Sequence, residues 1–184
     1  MLYKFDILFK KELKSGGVKV VTYTNLLENP EAFGVGEGLA GAEGELSMVL
    51  EGPEAGFSIN ALMRKYRAQL VGHMNAEMFG KDFPLRFVLA QADDVTSVRT
   101  ELRDEDGYIY SSDVHTVSVA GSKTLDLKEN NSFVALVPKD GRCTVTDASD
   151  IVQLQVGQLA LVSAAVKVVT LQGHCQVKSI KCGC

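Results

Sequence analysis

The chain has 184 residues and a formal net charge of −4, a length that suffices for a sizeable core in one domain or two small ones. This acidic balance argues against a nucleic-acid partner, which would require a basic patch. The longest apolar run, 159–169, is too short to cross a bilayer and contains Lys167. The N-terminal residues lack the continuous apolar stretch of a signal peptide. We therefore predict a cytoplasmic protein without membrane or nucleic-acid partners.

The first half of the chain contains one clear helix signal between glycine-rich turns. Glycines cluster at 34–45, but no strand precedes them and no Lys-Ser/Thr pair follows, so a phosphate-binding loop is not indicated. A helix is predicted over 59–71, with Ser58 as its N-cap and Gly72 just beyond its end. Its apolar residues recur at helical spacing, and they are Ile59, Leu62, Met63, Tyr66 and Leu70.

After Phe83 the pattern changes to short segments rich in Val, Leu, Thr and Ile, separated by turn signals such as Gln172-Gly173. Many short strands without intervening helices indicate an antiparallel sandwich or barrel. We predict a helix-containing N-terminal α+β portion, 1–106, and a β-barrel, 107–184, and leave open whether they merge into one compact unit. The predicted strands are 84–91, 95–102, 114–119, 132–138, 142–146, 151–155, 159–162, 166–171 and 175–180.

The three histidines form no catalytic or metal-binding motif. A metal site on a strand needs an H-x-H-like pair, because alternate residues share one face. His73, His115 and His174 are far apart in the sequence. His73 follows the predicted helix, where capping is the favoured role, and His174 is predicted at a tight turn. We interpret all three as structural or solvated.

Carboxylates cluster at 93–106, at the end of a predicted strand. Adjacent residues of a strand point to opposite faces, so Asp93 and Asp94 could not share a substrate, and a solvated turn is favoured. The ending KCGC holds one C-x-C pair, Cys182 and Cys184, where zinc-ribbon sites use two pairs. The role of these two cysteines is left open.

The order of several weak motifs resembles the type I mannose-6-phosphate isomerases. The run 83-FPLRFVLAQADDVTS-97 resembles a strand of that family that reads approximately FPLLxKxxDAxxxLSxQVHP. Upstream, 47-SMVLEGPEAGFSINAL-62 and 69-QLVGHMNAEMFGKDFPL-85 resemble family segments in the same order, and 132–180 is similar to the family's last cupin barrel. The resemblance implies a mainly β fold with a cupin-like jelly-roll barrel. For the family it also implies a role in carbohydrate metabolism and a zinc cofactor.

The positions that correspond to the family's zinc ligands carry other residues. Val98 and Thr100 stand where the Q-V-H-P motif has Gln and His, and a shift of one residue does not restore the pair. The K-T-E and P-A-G-x-x-H segments have no counterpart, as if deleted between about Asp106 and Tyr110. Aldose–ketose isomerisation needs a base and an electrophile, here zinc. We therefore expect a shortened pseudoenzyme that binds no metal or other cofactor and has no catalytic residues.

Three functions remain under consideration. The favoured one is a non-catalytic protein that binds a sugar or sugar phosphate, as a sensor or regulator. Arg99 and Arg103 would share a strand face and could meet a phosphate, although pairing with surface acids is the simpler interpretation. The candidate ligand-binding residues are Arg86, Arg99, Glu101, Arg103 and His115.

The other two functions differ in what they require. One is an active mannose-6-phosphate isomerase with a site rebuilt from His115, Glu101 and the acids of 104–106, which bound metal would reveal. The other is a structural or dimerisation module. Loss of part of a barrel should leave strand edges and apolar faces that need cover. We therefore also predict a homodimer.

Overall fold

The computed structural model of the chain describes residues 1–6, 8–12, 18–22, 48–57, 59–72, 100–103 and 109–183. These residues form one helix and ten strands. The elements are β1 (Leu2–Asp6), β2 (Leu8–Glu12), β3 (Val18–Thr22), α1 (Ile59–Val71), β4 (Thr100–Arg103), β5 (Ile109–Asp126), β6 (Val134–Pro138), β7 (Arg142–Thr146), β8 (Ile151–Gln155), β9 (Gln158–Val162) and β10 (Val168–Gly183).

Eight of these strands form one antiparallel sheet, and six of them follow the order β1-β9-β6-β10-β5-β4. β7 also pairs with β10, and β8 pairs with β7. One edge of β10 therefore holds β6 along its C-terminal part and β7 along its N-terminal part, and this branching curves the sheet into a barrel-like shape. β2 and β3 form a separate two-stranded sheet.

The longest pairing in the structure joins β5 to β10. It runs without a break from Val168 opposite Asp126 to Gly183 opposite Ser111. The prediction of two strands, 166–171 and 175–180, separated by a turn at Gln172-Gly173 was wrong, and so was the tight turn at His174. The backbone remains extended there because β5 continues to pair with it.

Two glycines face each other in the middle of the β5–β10 pairing. Gly121 has φ of +93° and Gly173 has φ of +141°, values that residues with a side chain adopt at a cost. A Cβ at Gly173 would lie 2.5 Å from the carbonyl oxygen of Arg142 in β7, whereas a Cβ at Gly121 would meet nothing within 4 Å. Glycine at 173 therefore permits both the backbone conformation and the close approach of β7.

The helix α1 has the predicted bounds and ends before Gly72, whose φ is +89°. That left-handed conformation favours glycine just beyond a helix. The helix is kinked at Tyr66, where φ is −129° and ψ is 26°. Its C-terminal end is tied to the turn after β9, because Ala164 donates its backbone N–H to the carbonyl oxygen of Leu70 at 2.9 Å. The predicted N-cap, Ser58, lies outside the described residues.

Both faces of the sheet carry buried residues. On one face a continuous apolar core includes Leu136 of β6, Val145 of β7 and Val177 of β10. The residues that alternate with this core on β1 and β9 are buried on the other face, among them Tyr3 opposite Leu161. A strand with two buried faces loses the simple alternation of apolar and polar residues, and the wholly buried β6 shows this.

A tyrosine hydroxyl of α1 ties the helix to the loop 48–57, and a second tyrosine is buried in β1. The Tyr66 hydroxyl donates to Oε1 of Glu54 at 2.8 Å. Tyr3 is almost fully buried, and its hydroxyl lies 3.1 Å from Sδ of Met1. Burial first, and then the negative charge of Glu54, raise the pKa of Tyr3 well above its ordinary value. Tyr3 is therefore a neutral, structural hydroxyl at physiological pH.

The turn between β7 and β8 is organised by the carboxylate of Asp147. Its Oδ1 accepts backbone N–H groups from Ser149 at 2.7 Å and Asp150 at 2.6 Å, and its Oδ2 lies 3.3 Å from the amino group of Met1. Burial alone would raise the pKa of Asp147, but these amides and the ammonium group outweigh it and lower the pKa below its usual range. The ionised carboxylate therefore stabilises this turn.

Among the described residues the fold is mainly β, with a nearly closed, barrel-like antiparallel sheet and one short helix, and the predicted mainly β class with a barrel is confirmed. β1 and β4 precede residue 106 but belong to the same sheet as the strands after it. The division into 1–106 and 107–184 stays a prediction. The predicted strand 84–91 lies outside the described residues. No described helix has the length and apolar character needed to cross a bilayer.

Replacing the two facing glycines should have unequal effects. Gly121→Ala meets no neighbouring atom and should lower the free energy of unfolding by about 1–3 kcal/mol, the cost of its left-handed backbone. Gly173→Ala should lower it by about 1–3 kcal/mol more, because its methyl group collides with β7. Urea denaturation of both variants measures the difference. Equal losses would contradict the close approach at Gly173.

The contribution of Asp147 should depend on pH. A carboxyl whose pKa is lower in the folded chain stabilises the fold above its unfolded pKa, and this stabilisation is lost as pH falls through the folded value. At pH 7, Asp147→Ala should cost about 1.5–3 kcal/mol, the range for hydrogen bonds to a charged group. The difference between the two proteins in urea denaturation should shrink below about pH 4. A difference independent of pH would show that the ionised carboxylate does not stabilise the turn.

Candidate functional site

The structure describes three of the five predicted ligand-binding residues. Glu101 and Arg103 are alternate residues of β4, and His115 lies on β5. Arg86 and Arg99 lie outside the described residues, as does Val98. Thr100, the other position where the resemblance expects a zinc ligand, begins β4 opposite Ser112.

Strand register brings the predicted positions to one face of the sheet. Glu101 is opposite Ser111 of β5, and Arg103 is opposite Ile109. Alternate residues of a strand share a face, so these positions belong to the same face as 113 and 115 of β5. These residues of β4 and β5, together with the β10 residues opposite 113 and 115, are called the polar face. Its members are Glu101, Arg103, Asp113, His115, Ser179 and Lys181.

An imidazole–carboxylate pair lies at the centre of the polar face. Nε2 of His115 is 3.0 Å from Oδ2 of Asp113, and the two side chains are 61% and 58% exposed. The pair is an ion pair only when His115 is protonated, and solvent screening makes such an exposed pair weak. Its two side chains are therefore available to a ligand.

Two residues of β10 complete the described part of this face. Ser179 is opposite His115 and is buried, and Lys181 is opposite Asp113 and is half-buried. The neighbouring Lys178 is also buried but belongs to the other face, opposite Thr116. The polar face thus carries ammonium, imidazole, hydroxyl and carboxylate groups, which suit a polar and partly anionic ligand.

Sequence reasoning did not select Asp113, Ser179 or Lys181. The Asp-x-His spacing of Asp113 and His115 was a usable signal, because alternate strand residues share a face. Ser179 and Lys181 are more than sixty residues further along the chain. Their position depends on the β5–β10 register, which the predicted turn at Gln172-Gly173 would have broken.

The described residues do not fit a zinc site. No three of their His, Cys, Asp and Glu side chains gather closely enough to hold a metal ion. Asp113 and His115 supply two donors, whereas a catalytic zinc takes three protein ligands and a structural one takes four. The absence of a cofactor stays a prediction for the whole chain.

Cys143 and Cys175 are buried free thiols on the opposing strands β7 and β10. Burial, followed by the neighbouring Cys175, raises the pKa of Cys143 to about 12. Because the thiolate is the nucleophile and the metal-binding form, Cys143 is a core residue rather than a reactive one. Cys184 and the side chain of Cys182 lie outside the described residues.

Comparison with known proteins gives weak structural likenesses. No family model matches the chain, and no curated protein matches it. A putative mannosephosphate isomerase from Archaeoglobus fulgidus matches with a TM-score of 0.35 and 15% identity, over 47% of this chain and 26% of that protein. The mannose 6-phosphate isomerase from Bacillus subtilis matches with a TM-score of 0.34 and 14% identity, over 47% and 29%.

A variant of phosphomannose isomerase from Salmonella typhimurium gives a similar result. Its TM-score is 0.32 and its identity 12%, over 45% of this chain and 22% of that protein. The chain thus spans well under a third of each of these three structures. TM-scores this low do not establish a common origin or activity, so membership of the isomerase family stays a resemblance.

Cys143 should resist alkylation in the folded protein. At pH 8 its raised pKa leaves almost no thiolate, and burial excludes the reagent. Iodoacetamide followed by peptide mass spectrometry should show slow labelling in buffer and rapid labelling in denaturing urea. Labelling in buffer as fast as in urea would contradict the burial of this thiol.

Proposed function

We propose that this protein binds a small sugar phosphate at the polar face and does not isomerise it. The observation that supports the proposal is the strand register, which gathers Glu101 and Arg103 of β4, the Asp113–His115 pair of β5, and Lys181 of β10 on one face. The resemblance of the sequence to mannose-6-phosphate isomerases favours a hexose 6-phosphate as the ligand class.

The residue types of this face suit both parts of such a ligand. Arg forms bidentate hydrogen bonds to phosphate, and Lys binds it as a point charge, so Arg103 and Lys181 are the proposed phosphate-binding residues. His115 adds a positive charge when it is protonated. Asp113 and Glu101 offer carboxylates that can accept hydrogen bonds from sugar hydroxyls.

The proposed lack of isomerisation follows from the missing electrophile. Moving a proton between C1 and C2 of an aldose requires a base and a group that stabilises the charge developing on oxygen. The Asp113–His115 pair could act as a base, but Val98 and Thr100 replace the residues that would bring zinc to the carbonyl oxygen. Binding is therefore proposed as the function, in a sensor or regulatory role.

The Asp113–His115 pair is also the one observation that favours the alternative, an isomerase with a rebuilt site. A carboxylate that orients an imidazole is a common arrangement for a general base. Interconversion of mannose 6-phosphate and fructose 6-phosphate by the purified protein, abolished by His115→Ala, would establish this alternative. It would also overturn the proposed lack of catalysis.

Removing a positive charge from the polar face should weaken hexose 6-phosphate binding. Charged hydrogen bonds contribute about 1.5–3 kcal/mol, so Lys181→Ala should raise the Kd for mannose 6-phosphate at least about tenfold. Lys139→Ala is a matched control, because Lys139 is exposed and lies beyond β6, away from the polar face. Isothermal titration calorimetry measures each Kd, and mannose without phosphate should bind more weakly than its phosphate.

Two results would contradict this proposal. One is the absence of measurable binding at millimolar mannose 6-phosphate. The other is an equal loss of affinity in Lys181→Ala and Lys139→Ala, which would place the ligand elsewhere. Thermal unfolding gives an independent readout, because a ligand that binds only the folded chain raises its apparent stability by mass action.

A further inference from the structure

Three successive rows of side chains cross β5, β10 and β6 on the side of the sheet that includes the polar face. Within each row, strand register places one residue of each strand directly opposite its neighbour. The rows are about 6.8 Å apart, because an antiparallel strand rises about 3.4 Å per residue. They are Val117, Val177 and Pro138 (the valine row), His115, Ser179 and Leu136 (the serine row), and Asp113, Lys181 and Val134 (the lysine row).

Along β10 these rows change from apolar to charged. Val177 belongs to the apolar core, Ser179 is buried, and Lys181 is half-buried. On the β6 side of Ser179 lies Leu136, which belongs to the same core. The Ser179 side chain therefore lies at the boundary between the apolar core and the polar face.

The β5 side of the serine row is open to solvent. His115 and its partner Asp113 are both more than half exposed, and Val117 of the neighbouring row is only partly buried. A ligand that approaches the polar face thus meets these β5 side chains first. Ser179 then forms the floor of the site, between β5 and β6.

Burial makes a hydroxyl at this floor more selective than the exposed charges around it. A buried polar group needs a hydrogen bond, and one left without a partner costs free energy. A site that hydrogen-bonds one hydroxyl of a ligand therefore rejects an analogue in which that hydroxyl is absent or misplaced. Exposed groups such as those of His115 and Asp113 discriminate less, because water competes for them.

We propose that Ser179 determines which sugar this protein binds, through a hydrogen bond to a hydroxyl of the hexose ring. Serine can donate and accept such a bond. This role rests on the proposed function and adds an orientation of the ligand. The phosphate lies at the lysine row, and the hexose ring lies over the serine row with its carbon-bound hydrogens against Val117.

The spacing of the rows fits this orientation. In a hexose 6-phosphate only the C6 carbon and its ester oxygen separate the phosphorus atom from the ring, so the two parts of the ligand occupy neighbouring rows. Lys181 then binds a group that every hexose 6-phosphate carries, as a point charge. Ser179 contacts the part in which these sugars differ. Affinity and selectivity are thus assigned to different residues.

Selectivity among three sugars tests this role. Mannose 6-phosphate and galactose 6-phosphate each differ from glucose 6-phosphate in the configuration of one ring hydroxyl. Isothermal titration calorimetry of the natural chain should give three different Kd values. Ser179→Ala should reduce the ratio of the highest Kd to the lowest at least about threefold, the change expected from the loss of one hydrogen bond.

Three further variants separate this effect from a general loss of binding. Lys181→Ala should raise all three Kd values by a similar factor and leave their ratio unchanged. Ser179→Thr keeps the hydroxyl and should keep the ratio. Ser163→Ala is the matched control, because Ser163 is also buried but its hydroxyl lies 3.4 Å from the amino group of Met1, in the turn after β9. It should alter neither affinity nor ratio. Circular dichroism confirms that each variant is folded.

Three results would overturn the role of Ser179. They are equal Kd values for the three sugars in the natural chain, an unchanged ratio in Ser179→Ala, and an equal fall of the ratio in Ser179→Ala and Lys181→Ala. In each of these results the sugar phosphates still bind, so the proposed function stands. The absence of binding of all three sugars would instead overturn the proposed function together with this role.

Discussion

The uninterrupted pairing of β5 with β10 is the constraint on which the rest of this structure depends. It aligns Ile180 with Val114 at one end and Val169 with Leu125 at the other. β6 and β7 then pair with successive parts of the edge of β10 that faces away from β5. A break in this pairing would separate the strands that enclose the core, which is why the glycine at 173 is needed. It lets a single strand continue through the point where β7 comes closest.

The same pairing decides which side chains meet. The core and the polar face belong to the same side of β5 and β10, and they differ only in position along the strands. Val177 and Val119 pack into the apolar core. Further along, His115 and Lys181 take the equivalent positions where the sheet is more open to solvent. A polar site beside an apolar core is thus a consequence of strand length, since β5 and β10 extend beyond β7 and β8.

The proposed ligand binding and an isomerase activity differ in the groups that they require. Binding an anion requires positive charge and hydrogen-bond donors, which Lys181 and the residue types of β4 and β5 supply. Isomerisation would require in addition an electrophile held at a fixed distance from the carbonyl oxygen. The structural likenesses to isomerases are too weak to indicate that such an electrophile is present. Recognition therefore stays the proposed role, and isomerisation the alternative that an activity assay decides.

A good part of this structure could be predicted from the sequence, because some of its determinants are local. Helical spacing and Gly72 placed α1 at its observed bounds, and turn residues placed β7 and β8 correctly. For the candidate site, the sequence indicated Glu101, Arg103 and His115 as polar residues near one another along the chain.

The sequence by itself determined the mainly β class and the helix, since each depends on residue type and short-range spacing. Only the tertiary structure decided that 168–183 is one strand, because pairing with β5 outweighs the local turn preference of Gln172-Gly173. It also decided that Ser179 and Lys181 lie opposite His115 and Asp113. Strand register depends on hydrogen bonds between segments distant in the chain, and no local pattern encodes them.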